Sequence, residues 1–199
     1  MLLIEKTSKN EQFYNKINRK CTKCLKLYFF KVCIKQGFKI GEFKGFIDVA
    51  AFLQEYDNFI EFTFGQWGNP LQDPLGGLGF KSLNTGQSRV SGLEFTMLGT
   101  GKIGKTTFNL LSGYTFTKPI SLSPDLVYAE GALPASYNNT SSNSENDILK
   151  YRLQHLVRFD LEAQRERITA GVSARYNDRM QNIDKAFLDI EEQGLADFG

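Results

Sequence analysis

The sequence predicts an all-β fold, an antiparallel up-and-down meander of about six to seven long strands. Three observations carry that expectation. Side chains alternate between apolar and polar over several segments, the connections between those segments alternate between short and long, and aromatics and glycines abound. The 199 residues include 17 Phe, 8 Tyr and 18 Gly, which suits extended, half-buried chain joined by tight turns.

Charge divides the chain unevenly. Residues 1–35 hold nine of the 24 Lys and Arg but only Glu5 and Glu11 as acids, so they carry +7 and the remainder −5. A boundary is therefore drawn there. Residues 1–35 form an unassigned basic segment, expected to be disordered or foreign to the rest of the chain, and 36–199 form the folded domain. Within the basic segment Cys21 and Cys24 make a C-x-x-C pair. Only Cys33 and His155 could complete a soft ligand set, and no βαβ pattern surrounds them, so neither a metal nor a redox role is expected. The basic run reads as solvated chain, not as a nucleic-acid patch. Met1–Ile4 is too short for the core of a secretory signal, and Lys23, Lys26 and Lys31 break up the next apolar stretch. No run approaches the roughly 20 apolar residues of a membrane helix. Any membrane role must fall to strands.

From Lys35 onward a rhythm sets in. Gly41–Gly45 is a short turn, followed by an aromatic and β-branched run over 46–64 that reads as one long strand. The Gly- and Pro-rich stretch 65–87 reads as loop. In 89–98, Leu93, Phe95 and Met97 alternate with Gly92, Glu94 and Thr96. A turn at 99–104 leads into 104–118, where Phe108, Leu110, Tyr114 and Phe116 share one parity. Residues 119–147 form a second long loop, whose Asn138-Asn139-Thr140 triplet matches a glycosylation acceptor by chance. The cleanest alternation covers 148–163: Leu149, Tyr151, Leu153, His155, Val157, Phe159 and Leu161 against Lys150, Arg152, Arg158, Asp160 and Glu162. A polar turn at 164–167 and a strand over 168–178 come next. The tail, 178–199, loses the pattern, and its Asp197-Phe198-Gly199 lacks every other feature of a kinase.

One motif pulls the other way. Gly99-Thr100-Gly101-Lys102-Ile103-Gly104-Lys105-Thr106 fits G-x-x-x-x-G-K-[ST], in which backbone amides cradle phosphates, the lysine reaches the outer ones and the hydroxyl holds Mg²⁺. Such a loop must follow a buried strand and open a helix. Here both arms alternate, and the second is rich in threonine and aromatics, so a hairpin turn is favoured. A nucleotide-binding protein using Lys105 and Thr106 stays as the alternative.

Loop lengths then run short, long, short, long, short, long. That parity and strands of at least 9 to 11 residues are the marks of an outer-membrane barrel, with short periplasmic turns and long outer loops. Each strand offers one apolar face for lipid and one polar face, carrying Glu94, Arg152, Arg158, Asp160 and Arg175, for a lumen. The expectation is a partial transmembrane β-barrel. A small complete barrel with no plug is a further alternative; it needs another strand near Leu25–Phe38 or in the tail, where the alternation is weak.

In order and spacing, KQGFKIGEFKGFIDVAAFLQEYDNFIEFTFG, SRVSGLEFTMLGTGKIGKTTFNLLSGYTFTKP, KYRLQHLVRFDLEA and ITAGVSARYNDRMQNID resemble the C-terminal half of the barrel of TonB-dependent outer-membrane receptors. The resemblance runs from about Lys35 to Ala186. It implies a 22-stranded barrel around an N-terminal plug, outer-membrane localisation, coupling to the inner-membrane TonB energy-transducing complex, and uptake of a small scarce nutrient such as a siderophore-bound iron or cobalamin. The plug, the coupling box and the closing strands of that family have no counterpart here, so the chain is expected to be an internal fragment, not competent for transport alone. Neither catalysis nor a cofactor or metal is expected. His155, on the apolar face, reads as a packed or girdle-level ring, and the loop aromatics Trp67, Tyr128 and Tyr137 are the residues considered for substrate contact, though no substrate site is assigned.

Overall fold

The computed structural model describes residues 2–5, 26–67, 78–129 and 134–192. Cys21, Cys24 and the Asp197-Phe198-Gly199 tripeptide lie outside the described residues. In chain order the strands are β1 (Leu2–Glu5), β2 (Lys26–Ile40), β3 (Phe43–Asp57), β4 (Ile60–Gln66), β5 (Leu78–Asn84), β6 (Ser88–Ile103), β7 (Thr106–Ser121), β8 (His155–Arg165) and β9 (Ile168–Asn177), with helices α1 (Tyr137–Thr140) and α2 (Lys185–Glu192). Seven strands make one sheet in the order β1-β2-β3-β6-β7-β8-β9, and β4 pairs only with β5. Every pairing is antiparallel. The fold is thus the expected meander, with the β4–β5 hairpin inserted at one rim. The sheet stays open: β1 and β9 lie at its two ends and do not meet, so the small closed barrel is not formed by the described residues.

Three two-residue turns define the opposite rim, Gly41–Glu42, Gly104–Lys105 and Glu166–Arg167. Their first residues stand at φ 58°, 60° and 55°, a conformation that glycine supplies without steric cost. Strands run into these turns further than the alternation predicts. Gly99 and Gly101 lie inside β6, and Gly45 inside β3.

Register sorts the side chains. One row across the sheet is Lys44, Thr100, Asn109 and Glu162, and another is Asp48, Thr96, Gly113, Arg158 and Arg175. The opposite face carries rows such as Val49, Phe95, Tyr114, Val157 and Tyr176. Val49 is 44% exposed, Leu93 53%, Phe159 38% and Val172 66%, so no second layer of described residues covers this face. The apolar band on β6 runs from Leu93 to Ile103. At 3.3 Å per residue that is about 33 Å along the strand, or about 25 Å in height at a tilt near 40°, the thickness of the lipid-facing band of an outer-membrane barrel. Above it the face turns polar: Ser91 stands opposite Lys118, and Arg89 Nη2 lies 2.6 Å from Glu55 Oε1. At the short-turn rim Ile40, Ile103 and Ile168, each 74% exposed, end the band on this same face.

The buried apolar residues are Ala50, Tyr137, Ile148 and Leu149. Three of the four sit among the long connections, not on the sheet. Ala50 stands opposite Glu94, which pairs with Lys31 across β3 at 2.6 Å.

Several expectations are corrected. The run 46–64 is broken at Asn58, whose φ is 57°, and its second half turns away to pair with β5, a strand inside the expected loop 65–87. The expected strand 148–163 begins only at His155. Asp147 and Tyr151, with φ of 53° and 56°, interrupt extended chain there. Leu149 and Lys150, assigned to opposite faces of that strand, are both buried, and Arg152 belongs to the connection. The tail supplies α2. Apart from these corrections, β2 runs through residues 35 and 36 without a break, its fifteen residues all paired with β3. Its alternation was legible after all: Lys31, Cys33, Lys35, Gly37 and Lys39 share one parity, and Phe30, Val32, Ile34, Phe38 and Ile40 the other.

Candidate functional site

The described residues of the connections after β3, β7 and β9, namely 58–67, 78–87, 122–129, 134–154 and 178–192, gather at one rim. They pack on one another around a polar junction. Asp184 is fully buried, and its carboxylate accepts from Lys150 Nζ at 2.5 Å, from Tyr151 OH at 2.7 Å and from the Phe64 amide at 2.7 Å. Lys150 Nζ also donates to Thr140 Oγ1 at 2.7 Å, which in turn sits 2.7 Å from Tyr128 OH. Two residues earlier, Asn182 donates to Ile148 O and Tyr137 OH and accepts from Ser142 Oγ and the Asn143 amide. Both lone charges are compensated, as burial requires.

Glu61 lies in the same cluster, 7% exposed. Burial pushes its carboxyl above the usual carboxylate range, with Lys150 and Arg152 opposing and Asp184 adding to the rise. Burial likewise pushes the Tyr128 and Tyr137 hydroxyls up to about 12. Beside this cluster, Phe64 stacks on Phe187 of α2 with centroids 4.7 Å apart, and Phe62 stacks on Phe80 at 5.3 Å.

The three loop aromatics considered from the sequence fare differently. Tyr137 is 3% exposed and donates its hydroxyl to Ile148 O at 2.5 Å, so it is a packing residue, not a contact for an incoming molecule. Tyr128 is half-buried and bonded to Thr140. Trp67 donates Nε1 to Gly79 O at 2.7 Å and lies under Lys81. Sequence reasoning missed Glu61, Lys150, Asn182 and Asp184, and no local signal marks them: Asp184 meets partners 33 to 120 positions away.

On the polar face of the sheet, towards the short-turn rim, an open groove of about 970 Å³ is lined by Lys39, Lys44, Thr100, Asn109, Asp160 and Glu162, among others. A hydrogen-bond row crosses it, from Thr100 Oγ1 to Asn109 Oδ1 and from Asn109 Nδ2 to Glu162 Oε1. Glu94, Arg158, Asp160 and Arg175 share this face, as expected.

The nucleotide alternative fails on geometry. No helix follows Lys105; Gly104 and Lys105 are a turn, and Thr106 starts a strand paired on both sides. A Cβ at Gly99 or Gly101 would stand 2.5 Å from the Phe43 ring. These glycines admit a cross-strand aromatic, not a phosphate. The His155 ring stacks beside Tyr114 and sits tilted against Phe116 with centroids 5.1 Å apart, and its Nδ1 is 2.8 Å from Tyr114 OH. That is a ring cluster at the upper edge of the apolar band. Among the described residues no group of three or more His, Cys, Asp or Glu is placed to hold a metal. No described helix is long and apolar enough to cross a membrane, which says nothing of strands.

Comparison with known families decides what kind of sheet this is. Residues 36–194 match the family described as TonB dependent receptor-like, beta-barrel. The chain belongs to that family. No curated protein and no solved structure matches it. TonB-dependent receptor barrels are transporters of the outer membrane, not enzymes, and the match begins inside β2 and ends past α2. In this sheet the buried junction lies at the long-loop rim and the hydrogen-bonded groove on the face opposite the apolar band.

Proposed function

We propose that the chain is part of the barrel wall of an outer-membrane receptor that takes up a scarce nutrient, such as siderophore-bound iron or cobalamin, and that it does not transport alone. The apolar face meets lipid, the polar face lines the lumen against a plug, and the long connections face outward, where the ligand arrives. In the complete receptor the TonB complex supplies the energy. β2 belongs to the barrel unit, so that unit starts upstream of residue 36. The observation that carries this reading is the uncovered apolar face, about 25 Å tall, with the described residues of the connections after β3, β7 and β9 gathered beyond one of its ends. Among the described residues, seven strands with two unjoined ends leave no closed pore, which is the physical reason for expecting no transport by the chain alone.

The test uses a Trp67→Phe background in micelles of a brominated detergent. A tryptophan at Phe159 is expected to be quenched strongly and one at Asp160, the next residue, weakly. Equal quenching at both positions would refute the assignment of faces.

A further inference from the structure

The segment Asn182–Asp184 ties described parts of the long connections together. Asn182 is 1% exposed and Asp184 fully buried. The segment's backbone is clipped to the β7–β8 connection in both directions: the Ser142 amide donates to Ile183 O at 2.9 Å, the Tyr151 amide to Asn182 O at 2.9 Å, and the Ile183 amide to Ser142 Oγ at 3.0 Å. The Asp184 carboxylate then reaches a third element through the Phe64 amide of β4. Phe187, one turn further on, packs on Phe64 and Phe80. A few consecutive residues thus touch the β4–β5 hairpin, the β7–β8 connection and α2 at once.

We propose that Asn182–Asp184 is a strap that makes the three long connections open and close as one body. The physical reason is the buried Lys150–Asp184 pair, with both side chains 2% exposed or less. Separating such charges without admitting water leaves two uncompensated ions in a dry site. The pair therefore does not loosen gradually: it is either intact, with all three elements docked, or solvated, with all three released. Independent loops would carry their own apolar contacts and no shared carboxylate. The proposal rests on this geometry alone and holds whatever the receptor carries.

Hydrogen exchange of the wild-type chain in detergent micelles, followed with rising urea, tests it. Peptides covering 60–66, 137–151 and 185–192 are expected to merge onto one opening isotherm, well below that of β7. Three separate isotherms would overturn the strap, and this readout needs no variant to fold. Asp184→Asn, which strands the Lys150 charge, is expected to speed exchange in all three peptides by a common factor of about a hundred, with β7 unchanged. Faster exchange confined to 182–192 would equally overturn it. Lys150→Met is expected to reproduce the three-peptide pattern from the other side of the pair.

Discussion

Phe43 lies flat against Gly101: a Cβ built there would meet the Phe43 ring at 2.5 Å and its Cα at 2.7 Å. At Gly99 the added carbon would meet only the outer ring atoms, Cζ and Cε1, which can swing aside. Gly101→Ala is expected to destabilise the sheet by about 1–3 kcal/mol and Gly99→Ala by less, measured by urea unfolding in micelles. Equal tolerance at both positions would show that the ring does not fix this corner.

Lys105 is exposed at the tip of a two-residue turn. Lys105→Ala is expected to change stability by no more than about 0.5 kcal/mol. Titration of either form with ATP and Mg²⁺ is expected to give no heat above dilution. Saturable binding abolished by the substitution would restore the phosphate-loop reading.

Val172 and Ser173 are neighbours on β9, point to opposite faces and are both exposed. Arginine at 172 is expected to cost about 2–4 kcal/mol in a lipid environment, as a charge on the lipid face does near mid-depth. Arginine at 173 loses the hydrogen bond that Ser173 Oγ donates to Asp160 and is expected to cost about 1 kcal/mol. Paired unfolding titrations separate the two.

The Tyr137 hydroxyl sits between Ile148 O, to which it donates, and Asn182 Nδ2, from which it accepts. Tyr137→Phe removes both bonds while Asn182 keeps its own bond to Ile148 O. A loss of about 1–2 kcal/mol is expected, read as faster proteolysis of the 122–154 connection with the strands still resistant.

Glu61 gives the rim a pH dependence. Its folded carboxyl titrates above the ordinary value of 4.5, chiefly through burial. The folded state therefore holds the proton more tightly than the unfolded one. The contribution is complete below pH 4.5 and is lost as pH rises through the raised folded value. Exchange protection of 60–66 is expected to fall over that window relative to Glu61→Gln, which carries no such titration. A flat ratio would show that Glu61 is solvated.

Much of the sheet was legible in the sequence because its faces meet different media, and alternation is the direct imprint of that difference. β9 follows from it almost residue by residue, and β6 and β7 follow in place and partner, though β6 continues through Gly99 and Gly101 to Ile103. The parity of connection lengths also survived, since short turns need only a few residues of special backbone geometry. What failed did so mostly because alternation identifies extended chain but neither the backbone breaks within it nor its partner. Residues 148–154 alternate as well as β8 does, yet left-handed backbone at Asp147 and Tyr151 folds them into the rim. The run 46–64 likewise hides the break at Asn58. β2 went unread because its lysines dominated the charge count, although Lys31, Lys35 and Lys39 all lie on the polar face. The Lys150–Asp184 junction had no signature, because long-range polar pairing leaves no periodic trace.

Ile40, Ile103 and Ile168 each flank a different hairpin tip, on the same side of the sheet and at equal exposure. On the membrane reading proposed above they draw a waterline just inside the bilayer's inner surface: raising the sheet would drag Lys105 and Arg167 into oil, and lowering it would strand three aliphatic tips in water. On that reading three side chains fix the vertical seat of the wall from below, leaving the opposite rim free to vary in length and sequence without shifting the depth of the sheet.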